Sequence, residues 1–138
     1  MSITSDLRTY LISLPIVAAM VGTRVRPDVL AEGDAYPGIT ISVDSEDHQN
    51  DLDGDGGLVF ASVDITTWAT VKQEAENIAN QLRLALSGVK GVVGSQTIDA
   101  VLESSDVEFV PHQDGSDGGA WAKTQRWFIS FSETVAYP

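Results

Sequence analysis

The 138 residues contain no cysteine. That excludes disulfides, thiolate metal sites and a cysteine nucleophile, and it fits a reducing cytosol. Cations are scarce: 8 Lys and Arg stand against 20 Asp and Glu, a net charge of −12. Counterion release on nucleic acid needs clustered Lys and Arg, and here there is little to cluster. An acidic surface also repels anionic membranes, while it keeps the protein soluble and suits a basic partner surface or the repulsion of DNA. Long apolar runs are missing as well. The piece from Leu11 to Val21 is interrupted by Ser13 and Pro15, falls short of the roughly 18 residues of a membrane span, and follows an acidic start unlike that of a signal peptide. Only two histidines occur, His48 and His112, each in a polar stretch with nothing local to bring it to a carboxylate. No nucleophile elbow, phosphate-cradling glycine loop or zinc-deaminase set is present. The sequence therefore predicts no catalytic residues, no cofactor and no metal.

What is present is periodicity. At this length the chain fits one domain, residues 1–138, long enough to bury a real core. Leu7, Tyr10, Leu11, Leu14, Val17, Ala18 and Val21 recur at helical spacing, with a break expected near 13–15 where Pro15 opens a second short helix. Thr23–Arg26 reads as a brief extended piece stopped by Pro27, and Asp28–Ala35 as polar connection. From Gly38 to Val43 the chain alternates, with Ile39, Ile41 and Val43 inward. Asp44 to Gly57 is acidic and glycine-rich, and reads as a long loop.

The stretch from Leu58 to Gly88 is the organising unit. Its strand carries Val59, Ala61, Val63, Ile65 and Thr67 on one parity, and Ser62, Asp64 and Thr66 on the other. The period then changes to three and four through Val71, Ala75, Ile78, Ala79, Leu82, Ala85 and Leu86, which predicts a helix over about 70–87. Thr70 and Gln73 suit a capping box, and Gly88 a left-handed close. Leu84 is the large apolar residue off this stripe and marks a candidate subunit contact, although a lone exposed leucine is commonplace. Val89–Ser95 reads as connection, Thr97–Val110 as one strand broken near Ser104 or two short ones, and 112–119 as a loop. In Lys123–Val135, Trp127, Ile129 and Phe131 share one parity, and Arg126, Phe128 and Ser130 the other. Aromatics on both parities mark a central strand, or one that offers a face to another subunit. The expected fold is α+β: a mainly antiparallel sheet of about four to five strands, with an N-terminal helix and the long central helix on one face.

Three groups of residues are candidates for interaction. The first is the acidic stretch with Asp47, Asp51, Asp53 and Asp55. It lies within ten acids from Asp28 to Asp64 that no Lys or Arg interrupts. Asp51–Gly56 matches the opening of a calcium loop, D-x-D-x-D-G, but the twelfth place is Ser62 where a bidentate Glu is required. A solvated acidic loop is the ordinary reading. The second group is Asp64 and Thr66, on the strand parity left free by the core. The third is Arg24 and Arg26, whose ordinary reading is a short edge strand with solvent-facing arginines.

The order of the pieces carries a resemblance. An N-terminal Leu-Arg-x-x-Leu helix leads to Leu-Pro-Ile-Val-Ala-Ala-Met-Val-Gly and then Thr-Arg-Val-Arg-Pro. After Tyr-Pro-Gly-Ile-Thr-Ile-Ser come Val-Asp-Ile-Thr-Thr-Trp-Ala and Ala-Glu-x-Ile-Ala-x-Gln-Leu-Arg-x-Ala-Leu. Over residues 5–88 this resembles the tail-completion (tail-terminator) family of long-tailed bacteriophages and prophages. The resemblance implies a non-enzymatic virion protein, assembled in the host cytoplasm, that forms a six-fold ring on itself. The ring would cap the head-proximal end of the tail tube, stop its growth and join it to the head–tail connector, with DNA passing through unbound and no membrane involved. Another head–tail adaptor or a tube-like subunit is the alternative. The acidic 44–57 and 112–119 stretches depart from the family pattern.

Overall fold

The computed structural model describes residues 3–28, 36–51, 54–86, 90–93, 96–111 and 119–132. Helices α1 (Ile3–Ser13) and α2 (Pro15–Val21) precede three strands, β1 (Val25–Pro27), β2 (Gly38–Asp51) and β3 (Gly54–Ala69). Helix α3 (Lys72–Leu86) follows, then β4 (Lys90–Val93), β5 (Gln96–Pro111) and β6 (Gly119–Ser132). The six strands form one sheet in the order β1-β2-β3-β6-β5-β4. All pairings are antiparallel except β1 with β2, which run parallel. The α+β class and the largely antiparallel sheet are as expected from the sequence. One strand, β4, lies in the stretch read there as connection.

The core forms where the two periods meet. On β3, Val59, Ala61, Val63 and Ile65 are at most 1% exposed, and Thr67 and Ala69 are buried with them. Against this parity pack Ala75, Ile78, Ala79, Leu82 and Leu86 of α3, and Leu7, Leu11, Val17 and Val21 of the first two helices. Polar bonds pin the helix layer to the sheet and to itself. Gln125 Nε2 donates to the Ala79 carbonyl (3.0 Å), the Arg8 guanidinium to the Val25 carbonyl (2.7 Å), and the Tyr10 hydroxyl to the Ala85 carbonyl (3.2 Å). Trp127 and Ile129 of the central strand β6 complete the buried face.

The break near Pro15 is found. Leu14 is extended (φ −80°, ψ 121°) and Pro15 takes the first turn of α2, where its missing N–H costs nothing. Gly22 then closes α2 at φ 60°, a backbone state that favours glycine, with its N–H on the Ala18 carbonyl (2.8 Å).

Three local expectations are corrected. Asp44–Gly57 is not a loop: β2 runs on to Asp51 and β3 starts at Gly54, so the pair projects as a long hairpin arm, with Asp51 opposite Gly54. Asp and Gly disfavour strands only weakly, and here the β2–β3 pairing carries on past the core. Two register shifts, at Val43/Ser45 and Gln49/Asn50, accommodate it. The capping box does not form. The helix starts at Lys72, Val71 supplies the first accepting carbonyl (to Ala75 N, 3.2 Å), and the Gln73 amide donates forward to Asn77. Val71 thus stands before the helical stripe and is 55% exposed rather than buried. Gly88 and the 112–118 stretch lie outside the described residues.

Candidate interaction face

With three helices on one side, the other side of the sheet is bare of any described element. Register places its residues in rows. Arg26, Thr40, Thr66, Thr124 and Asp106 face one another across five strands, and Ser42, Asp64, Arg126 and Ser104 form the next row. Within the first row the Thr66 and Thr124 hydroxyls bond at 3.1 Å, and the Trp68 indole N–H donates to Thr40 Oγ1 at 3.0 Å.

Arg126 is the centre of the second row. Its Nε and Nη2 donate to the two carboxylate oxygens of Asp64 at 2.9 and 3.1 Å, a bidentate pair. Asp44 approaches the same guanidinium at 3.8 Å. The extra residue of each of two register shifts lies beside this row, Asp44 in β2 and Glu103 in β5. A bulge sets two residues of one strand against one of its partner, and here both bulges bring a carboxylate towards Arg126. The Asp64 hydrogen bond first, then the charges of Asp64, Asp44 and Glu103, hold the guanidinium above its ordinary range against a small opposing effect of burial. One cation therefore faces three acids, and the cluster stays negative.

Next to it is an apolar patch. The rings of Phe60 and Phe128 stack at 5.7 Å and 17°, and Val101 lies opposite Phe128 on β5. Phe128 and Val101 are 39% and 56% exposed. On the opposite, helical side a second exposed pair occurs: Ile16 and Leu84 stand at 55% and 59% beside a shallow groove of about 250 Å³ between α2 and α3.

The residues named from sequence fall in different places. Asp64 and Thr66 do lie on the bare face, each bonded to a β6 side chain. Asp47 stands opposite Phe60 at the base of the hairpin arm, Asp51 and Asp55 are further out along it, and Asp53 lies outside the described residues. Arg24 is half-buried: it donates to the Pro37 carbonyl at 2.9 Å and braces the start of β1, while Arg26 sits at the sheet edge opposite Thr40. Sequence reasoning missed Arg126, Glu103 and the Phe60–Phe128 stack. The available signal was the aromatic and the arginine on the outward parity of β6. Among the described residues no three His, Asp or Glu side chains converge as a metal site. The calcium-loop reading loses its geometry too, because Gly54–Gly56 is extended strand rather than a turning loop. No described helix is long and apolar enough to cross a membrane.

Comparison with known proteins agrees with this architecture. No curated protein sequence matches the chain. A solved structure titled "Virion of native gene transfer agent (GTA) particle" contains a chain of the same fold, with a TM-score of 0.67, 18% identity and 96% of each chain covered. The family model described as "Tail completion protein gp17" matches residues 5–134. An unbroken match over nearly the whole sheet and helix layer settles the family: the chain belongs to the phage tail completion proteins and is a structural component of a phage-type virion.

Proposed function

We propose that this protein forms a ring, six-fold in the particle, that caps the head-proximal end of a tail tube, stops tube growth and joins the tail to the head connector. The family match over residues 5–134 carries the reading. The surface supports it. A closed ring repeats one heterologous contact around an axis, and this fold presents two dissimilar surfaces, the bare sheet face and the helix layer, on opposite sides. The net charge of −12 suits a channel wall that lets duplex DNA pass without holding it.

In this reading the site residues divide by task. Asp64 and Thr66 belong to a contact face. Asp47, Asp51 and Asp55 lie on an acidic arm offered beyond the sheet, and Arg24 and Arg26 lie at the β1 edge. No step of the proposed role requires catalysis, a metal or a cofactor.

Gold-labelled antibody against the protein, viewed on intact particles by electron microscopy, tests the placement. Label confined to the junction of tail and head is expected. Label along the whole tube would make the protein a tube subunit instead, and label at the portal of tailless heads would make it a head-side adaptor.

A further inference from the structure

We propose that neighbouring copies meet by laying the α2–α3 ridge of one protomer on the bare sheet face of the next, Ile16 and Leu84 against Phe128 and Val101. This deepens the ring reading above and rests on it.

Two observations select the occupant. The first is that each patch is apolar and exposed, with no cover from the described residues of its own chain. Isolated apolar residues need no explanation, but a stacked Phe pair with Val101 on one side and a paired Ile and Leu beside a groove on the other are contiguous patches. They lie on opposite sides of the domain, so one chain cannot join them. Two chains can, and the contact leaves one patch of each kind free for the next copy, as a heterologous assembly requires.

The second is charge. The sheet patch is rimmed by Asp44, Asp64, Asp99 and Glu103, with Arg126 among them and Lys90 at the register position opposite Asp99. The helical groove is lined by Leu14, Ile16, Val17, Gln81, Leu84 and Ala85 among others and by no acid. Arg83 is on the other flank of α3, beside Glu76 and Lys123, and donates to Asn80 at 2.9 Å, so the ridge itself is apolar and uncharged. Sheet face against sheet face would set two acidic rims together, whereas the uncharged ridge adds no acid to that rim. Ridge against ridge is an isologous pairing, which does not build a ring of heterologous contacts.

The missing cysteines make the test clean. Purified particles carrying the double variant Leu84→Cys/Val101→Cys are treated with a short bis-maleimide. The contact predicts a ladder of multiples of the chain on a denaturing gel, with each single-cysteine variant remaining monomeric. Monomer only, from particles that contain the protein and are normally joined, would overturn the contact while leaving the ring function standing. Dimers from Val101→Cys alone would overturn it in favour of a face-to-face pairing. Absence of the protein from joined particles would defeat the ring reading and the contact together. As a second measurement, Leu84→Asp should leave the circular dichroism and thermal midpoint unchanged and lower the yield of joined particles at least tenfold. An unchanged yield would also count against the contact.

Discussion

At the scale of single residues, position on the helical stripe decides cost. Leu82 and Leu84 are two residues apart on α3, yet one is fully buried and the other is 59% exposed. Leu82→Ala should cost about 2–5 kcal/mol, the range for an interior leucine that leaves a cavity. Leu84→Ala should stay within about 0.5 kcal/mol, and urea unfolding of the two variants separates them. Thr67 is a second case. Its hydroxyl lies buried with no partner among the described residues, and an unpaired buried hydroxyl costs about 1–3 kcal/mol. Thr67→Val, with nearly the same shape, should therefore raise the thermal midpoint or leave it level; a marked fall would mean the hydroxyl is bonded. The Arg126–Asp64 pair gives a prediction in pH. Folding raises the arginine pKa, first through the Asp64 hydrogen bond and then through the Asp64 charge, so on the alkaline side of neutral the pairing is lost only as pH rises through the raised folded value. A double-mutant cycle with Arg126→Ala and Asp64→Ala should thus give the same coupling at neutral pH and at about pH 10.

At the scale of elements, much of the fold is legible because burial follows a period. The three- and four-residue spacing of α3 and the alternation of β3 and β6 name most of the core directly. Pro15 marks the break between α1 and α2 because its ring cannot sit inside a helix. What composition hid was the arm. Asp44–Gly57 looks like a loop because acids and glycines lower strand propensity, but register set by neighbouring strands extended the pairing to Asp51 and Gly54. The candidate face was legible in half: Asp64 and Thr66 follow from parity. Arg126 and Glu103 enter only through the alignment of β3, β6 and β5, which one strand's pattern does not contain. Two element-level outcomes follow. At millimolar Ca²⁺ the arm should give no calorimetric heat and no thermal stabilisation. At the β5–β6 end, a Cβ on Gly119 would meet the Val110 carbonyl and Pro111 Cα. Backbone cannot yield as a side-chain tip does, so Gly119→Ala should cost about 1–3 kcal/mol by urea unfolding; an unchanged midpoint would mean that this end of the hairpin opens freely.

At the scale of the molecule, the layers give it two unlike sides: helices with an apolar ridge, and a bare sheet whose one central arginine is outnumbered by acids. Such a domain is built to be a repeated part. Its charge balance also predicts that the protein retains no duplex DNA in a filter assay at low salt, where a cationic binder would be strongest. The central claim is that this part finishes the tail and connects it to the head. The most direct measurement is negative-stain electron microscopy of particles assembled without the protein. Filled heads beside separate, overlong or unjoined tails are predicted, with joining restored when the intact chain is supplied in trans. Normally joined particles with tails of ordinary length would contradict the account.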